Sequence, residues 1–182
     1  MKSLQRGFTL LELMVTLAIV GIVALIALWD SSEMLENDRA ESYLLELKRT
    51  LSFARAKATS SDAIIVVCSG NTGNIENNST NQCFDNWNNG SVFVFFDSNQ
   101  NGVYNPDDGD IILRVMEEIP ENSQLNFTGD NSIIFDTSGM LTSNPGKFTY
   151  CPSKANDDNN KQLEVSTSGT ALYIGTTTDV CN

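Results

Sequence analysis

Glu12 is the only ionisable side chain between Arg6 and Asp30, and it lies four residues into an apolar run that begins at Phe8. A carboxylate inside a membrane helix costs roughly 2.5–3.5 kcal/mol at the bilayer centre and less near its edge, and such groups pair with a cation or reach for the headgroups. Four cysteines, Cys68, Cys83, Cys151 and Cys181, all fall beyond that run. An even count without a C-x-x-C pair points to two disulfides rather than a zinc site. Four cysteines permit three connectivities, of which Cys68 with Cys83 and Cys151 with Cys181 close the shortest loops. A third constellation is Asp97, Asn99, Asn101 and Asp108, whose oxygen-bearing side chains repeat at the spacing of a calcium loop. Asp108 stands where the longer Glu is preferred, no helices are expected on either side, and Asp-Asn-Gly runs make good turns. The expected reading is therefore a β-hairpin connection, with no metal and no cofactor.

The remaining chemistry is defined by exclusion. The chain has no His, so neither a His-based triad nor a His metal site can form. No nucleophile elbow or phosphate loop is present, and no enzymatic activity is expected. Eleven basic against 23 acidic side chains give a net charge of −12, with only Lys147, Lys154 and Lys161 basic after Arg114. Nucleic-acid binding depends on clustered cations that release counterions from phosphates, so a broad DNA-binding surface is disfavoured.

The elements that carry these residues follow from periodicity. Residues 8–29 would form a helix about 33 Å long, enough to cross a hydrocarbon core of about 30 Å. Lys2 and Arg6 precede it without any acid, which holds the start on the cytoplasmic side. Residues 24–30 offer no small-x-small cleavage site of the secretory type. The apolar run instead continues into a region where Leu44, Leu47, Leu51, Ala54 and Ala58 recur at spacings of three and four, with no Pro or Gly from 30 to 60. One helix of about 50 residues is predicted, apolar in its first half and amphipathic in its second. Beyond Ser60 the pattern changes to short β-branched and aromatic runs bounded by Gly, Pro, Asn, Asp or Ser. Strands are predicted at 62–68, 91–96, 111–116, 124–127, 132–136, 147–151, 162–166 and 171–175, with the polar run 69–82 as a loop. A long helix laid on antiparallel sheets is an α+β arrangement.

The stretch Arg6-Gly7-Phe8-Thr9-Leu10-Leu11-Glu12-Leu13, followed by an unbroken apolar helix, resembles the class III signal of type IV pilins and type II secretion pseudopilins. The resemblance implies a pilin fold and a leader of residues 1–7 removed by prepilin peptidase after Gly7, with N-methylation of the new terminus at Phe8. It implies a transmembrane and filament-core helix at 8–29, an amphipathic helix at 30–60 and an exported β-rich domain at 61–182. Glu12 would then pair with the N-terminal amine of a neighbouring subunit, an attraction strengthened where water is scarce. The partners would be other pilins or pseudopilins, met through the same helix that first anchors the chain in the inner membrane.

Farther along, Trp87-Asn88-Asn89-Gly90-Ser91-Val92-Phe93-Val94-Phe95-Phe96-Asp97 and Asp110-Ile111-Ile112-Leu113 are similar to the GspH/FimT/FimU group of minor pilins and pseudopilins. So are Ile134-Phe135 with Gly139 and the stretch from Val165 to Gly169. DNA-binding members of that group carry arginines after a C-terminal Ser-Gly, whereas here Ser168-Gly169 is followed by Thr170-Ala171-Leu172. The expectation is a minor type IV pilin that primes or joins a cell-surface pilus serving adhesion, twitching motility or DNA uptake. The alternatives are a minor pseudopilin in a periplasmic pseudopilus and a membrane-anchored DNA- or calcium-binding module.

Overall fold

The computed structural model describes residues 8–152 and 159–181, with the backbone alone for 26–33. The first seven residues, Gly7 and the basic leader among them, therefore lie outside the described residues, as does Lys154. Two compact units divide between Leu35 and Glu36.

Helix α1 (Leu10–Ser61) runs for 52 residues. Leu, Ala, Glu, Arg and Lys dominate it, all with high helix propensity, and no Pro interrupts it. In the second unit Ala40, Leu44, Leu47, Leu51, Ala54 and Ala58 are each fully buried. Their alternating spacings of four and three average one helical turn, so they make a single stripe down one side. The helix stops at Asp62, which takes a left-handed conformation (φ 51°), while the N–H of Ala63 donates back to the carbonyl of Ala58 at 3.2 Å. That six-to-one bond is the Schellman closure, here made with Asp in place of the usual Gly.

The chain then enters β1 (Ile65–Gly70), a short helix α2 (Thr72–Glu76), β2 (Asn81–Gln82), β3 (Ser91–Phe96) and β4 (Val103–Tyr104). A 3₁₀ turn (Pro106–Asp108) leads to β5 (Ile111–Val115), followed by β6 (Gln124–Phe127), β7 (Ser132–Phe135), β8 (Gly146–Cys151), β9 (Lys161–Val165) and β10 (Ala171–Thr176). One antiparallel sheet has the order β5-β3-β1-β7 and a second the order β10-β9-β8-β6, while β2 and β4 pair separately. The amphipathic half of α1 packs on these sheets in one hydrophobic cluster. Ile65, Val67, Val94, Ile133 and Phe135 from the first sheet join Phe148, Leu163 and Val165 from the second. This is the α+β arrangement of one long helix on antiparallel sheets.

The polar run 69–82 departs from its predicted loop. The side chain of Asn71 caps α2 by accepting the N–H of Asn74 at 3.0 Å, and the segment ends in β2. Such short polar elements are held by caps and neighbours and leave no periodic signal. The first strand also begins three residues later than predicted, because the left-handed turn at Asp62 and the next two residues belong to the helix exit.

Candidate functional site

The first turn of α1 carries the residues singled out for processing and assembly. Thr9 stands immediately before the helix, and its hydroxyl accepts the N–H of Glu12 at 3.2 Å while its carbonyl accepts the N–H of Leu13 at 3.2 Å. Thr9-Leu10-Leu11-Glu12 is thus the S/T-x-x-E pattern of a capping box, with the acid favourably placed at the positive end of the helix. The sequence held this signal, four residues long, and its function as a helix start was overlooked beside the anomaly of the buried-type carboxylate. Among the described residues the Glu12 carboxylate has no hydrogen-bond or ionic partner.

Around and beyond Glu12 the apolar side chains face outward on every side. Phe8 is 82% exposed and Leu10 77%, and Leu13, Leu17, Val20 and Leu25 all remain above half exposed. Among the described residues, no helix is long and apolar enough to cross a membrane. Residues 26–29, the end of the predicted span, lie outside the described side chains.

A second centre of organisation lies where the two sheets meet the helix. Asp136-Thr137-Ser138-Gly139-Met140 and Ser166-Thr167-Ser168-Gly169-Thr170 form turns of the same design. In each, the first residue's carbonyl accepts the glycine N–H (2.9 Å in both), and its own N–H donates to the carbonyl of the fifth residue (2.9 and 3.0 Å). Gly139 and Gly169 take left-handed conformations, with φ of 78° and 75°. A Cβ on Gly169 would come within 2.4 Å of the Gly139 carbonyl oxygen, so both the conformation and the close approach require glycine there. Arg55 of α1 ties the pair together. Its Nε donates to the Gly139 carbonyl at 3.1 Å and its Nη1 to the Thr170 hydroxyl at 3.1 Å. The glycines were legible as a pattern; their shared arginine, some hundred residues upstream, was not.

Three hydrogen bonds from Ser138 and Met140 hold the Asp136 carboxyl below the usual carboxylate range, the Ser138 hydroxyl contributing most. Asp130 is lowered likewise by the backbone N–H and then the side-chain amide of Asn144. Burial, above all, raises the phenol of Tyr43, which stacks on Tyr150 at 5.0 Å.

The four cysteines are joined as Cys68–Cys83 and Cys151–Cys181. The first ties β1 to the segment ahead of β3, and the second holds the C-terminal tail to the end of β8. The Asp97–Asp108 loop closes on itself. Asp97 accepts the N–H groups of Asn101 (3.2 Å) and Gly102 (2.8 Å), Asn99 and Asn101 accept those of Asn101 and Val103, and Asp108 accepts the amides of Asn99 and Asn105. Asp110, outside the Asp97–Asp108 spacing, is buried and accepts from the backbone N–H groups of Ser98 and Asn105. Among the described residues, no group of three or more Cys, Asp or Glu is placed to hold a metal ion.

Comparison with known proteins adds four observations. The family model described as "Type II transport protein GspH" matches residues 45–169. The "Prokaryotic N-terminal methylation motif" matches residues 2–28. Type IV major fimbrial protein FimA of Dichelobacter nodosus is 68% identical over 28 residues, which is 15% of this chain and only 18% of that relative's length. Two crystal structures of the type IV minor pilin FimU of Pseudomonas aeruginosa (strain PAO1) superpose on it. One gives a TM-score of 0.57 at 16% identity, covering 79% of this chain and 93% of that one; the other gives 0.53 at 15%, covering 75% and 93%.

Proposed function

Because the chain belongs to the GspH family of type II transport proteins, we propose that it is a minor type IV pilin, a non-enzymatic structural subunit that joins or primes a pilus. The observation that carries this reading is the order of parts along one chain. A methylation motif over residues 2–28 precedes a GspH body over 45–169, and the helix between them begins with apolar side chains turned outward from Phe8 to Leu25. Prepilin peptidase cuts after Gly7 and Phe8 is methylated. Residues 8–29 hold the chain in the inner membrane, with the domain from residue 61 onward outside it, until they exchange lipid for the same segment of sister subunits. Glu12, whose carboxylate has no partner among the described residues, pairs with a neighbour's terminal amine in the dry filament core, where a lone carboxylate would be destabilising.

The two disulfides suit an oxidising compartment beyond the membrane. No DNA-binding role is assigned, since a net charge of −12 repels phosphates and no arginine follows Gly169. The FimU likeness supports the fold; the GspH match favours a second reading, a minor pseudopilin of a type II secretion system.

Mass spectrometry of the mature protein from its native host tests the class. Loss of residues 1–7 with one added methyl on Phe8 is expected, and a processed chain starting near residue 30 would overturn the proposal. Deleting the gene separates the two systems: loss of pili and twitching supports the first reading, and loss of exoprotein release with intact pili supports the second.

A further inference from the structure

A pocket of about 570 Å³ opens beside the free edge of β6, wholly within the second unit. Its floor follows from register. Asn126 of β6 pairs with Thr149 of β8, and Thr149 with Gln162 of β9, so the three share the sheet face that turns away from Phe148 and Tyr150. The C-terminal segment crosses this face. The Cys151–Cys181 disulfide fixes its end, the Asn160 amide donates to the Asp179 carbonyl at 3.0 Å, and the Gln162 amide donates to the Asp179 carboxylate at 2.6 Å. Thr149 thereby becomes buried, 5% exposed, yet it still lines the pocket. Its hydroxyl is not one of the enclosed side-chain atoms that lack a partner, so it is reached from the pocket and can pair there with a ligand's polar group.

The lining defines the ligand's chemistry. Asp85, Asp130 and Asp179 contribute negative charge and no Lys or Arg is present, so anions are excluded. Acceptors exceed donors, and an occupant must therefore bring hydrogen-bond donors. A single ammonium group would need carboxylates that converge on it. Here Asp130 spends both oxygens on Asn144, Asp179 gives one to Gln162 and Asp85 gives one to Asn131. What remains is a scatter of single acceptors among Asn and Thr side chains, beside Trp87, Phe127 and Leu125. Hydroxyl donors spaced around an apolar ring face match that arrangement, and the volume lies within the roughly 300–1,000 Å³ of small-molecule clefts.

We propose that this pocket is a saccharide-binding site, with the Thr149 hydroxyl and the Asp179 carboxylate receiving sugar hydroxyls. The inference goes beyond the assembly reading and does not depend on it, because binding is measured on unassembled chain. The full chain, in a detergent without a sugar headgroup, is titrated with glucose, galactose, mannose and N-acetylglucosamine, and with lysine amide as the cationic probe. The indole N–H resonance of Trp87 is followed, with Trp29→Phe to assign it. A saturable shift with at least one sugar is expected, weakened about tenfold by Thr149→Val and retained by Thr149→Ser. The thermal transition checks that each variant folds, and Thr178→Val replaces Thr149→Val if the latter does not. The proposal is overturned by no saturable response to any of the four sugars, by a response indifferent to the valine variants, or by saturation with lysine amide alone.

Discussion

The two units of this chain use the same apolar side chains in opposite directions. In the second, Leu44, Leu47 and Leu51 are fully buried against two sheets; in the first, Leu10, Leu13 and Leu17 stand between half and four-fifths exposed on the same helix. Helix propensity does not separate them, although the first stretch is apolar all round and the second amphipathic. The difference is that the sheets of the second unit cover its stretch of α1, whereas the described side chains of the first stretch are exposed. The second unit buries its leucines by its own contacts, whereas the apolar surface of the first stays exposed and, under the proposed function, is left to lipid or to other copies of the chain.

The contrast is sharpest in core truncation. Leu47→Ala should destabilise the second unit by about 2–5 kcal/mol, the range for a buried leucine. Leu17→Ala should leave its unfolding within about 0.5 kcal/mol of wild type, as expected for an exposed site. Denaturant titration of the full chain in detergent, read by near-ultraviolet circular dichroism, compares the two. A matching loss from Leu17→Ala would break the distinction between the units.

The disulfides sharpen it next. Replacing Cys68 and Cys83 together by Ala should cost about 3 kcal/mol for the short loop they close, and Cys151 with Cys181 somewhat more. The helical signal of residues 10–35 should survive both changes, since no cysteine lies there.

A smaller loss tests the paired turns. Gly169→Ala strains the backbone at φ 75° and presses on the Gly139 carbonyl, so a loss of about 1–3 kcal/mol is expected. Gly21→Ala, in open space on the exposed stretch of α1, should be neutral or slightly stabilising to the helix.

The smallest effect is a matter of pH. Folding lowers the Asp136 carboxyl, so its hydrogen bonds stabilise the fold above the unfolded carboxylate range near pH 4 and lose that contribution as pH falls through the lowered folded value. Asp136→Asn should therefore be less stable at pH 7, with the gap to wild type narrowing as pH falls below the unfolded carboxylate range. A constant gap across that range would remove the carboxylate from the explanation.

Much of this was legible in the residues. The stripe Leu44-Leu47-Leu51-Ala54-Ala58 announces a helix with one buried side, because 3.6-residue periodicity has no competing interpretation over so many turns. Short Val, Ile and Phe runs bounded by Gly, Asn, Asp or Ser mark the strands by composition instead, since β1 and β3 are buried at nearly every position and show no alternation. The misses share a cause. Helix α2 is a single turn capped by Asn71 three residues ahead of Asn74, too short to leave a periodic signal, and the β2–β4 pair needs Asn81 to meet Tyr104, which no local pattern encodes. Cysteine pairing is likewise a product of the fold, which selected one of three connectivities. The pocket beside β6 draws on segments near 85, 126, 149 and 179, each unremarkable alone.

Arg55 gives the paired turns a mechanical meaning. One guanidinium grips a turn from each sheet, Gly139 in one and Thr170 in the other, from a single position on α1. A pull on this stretch of helix is therefore shared by both layers through one side chain.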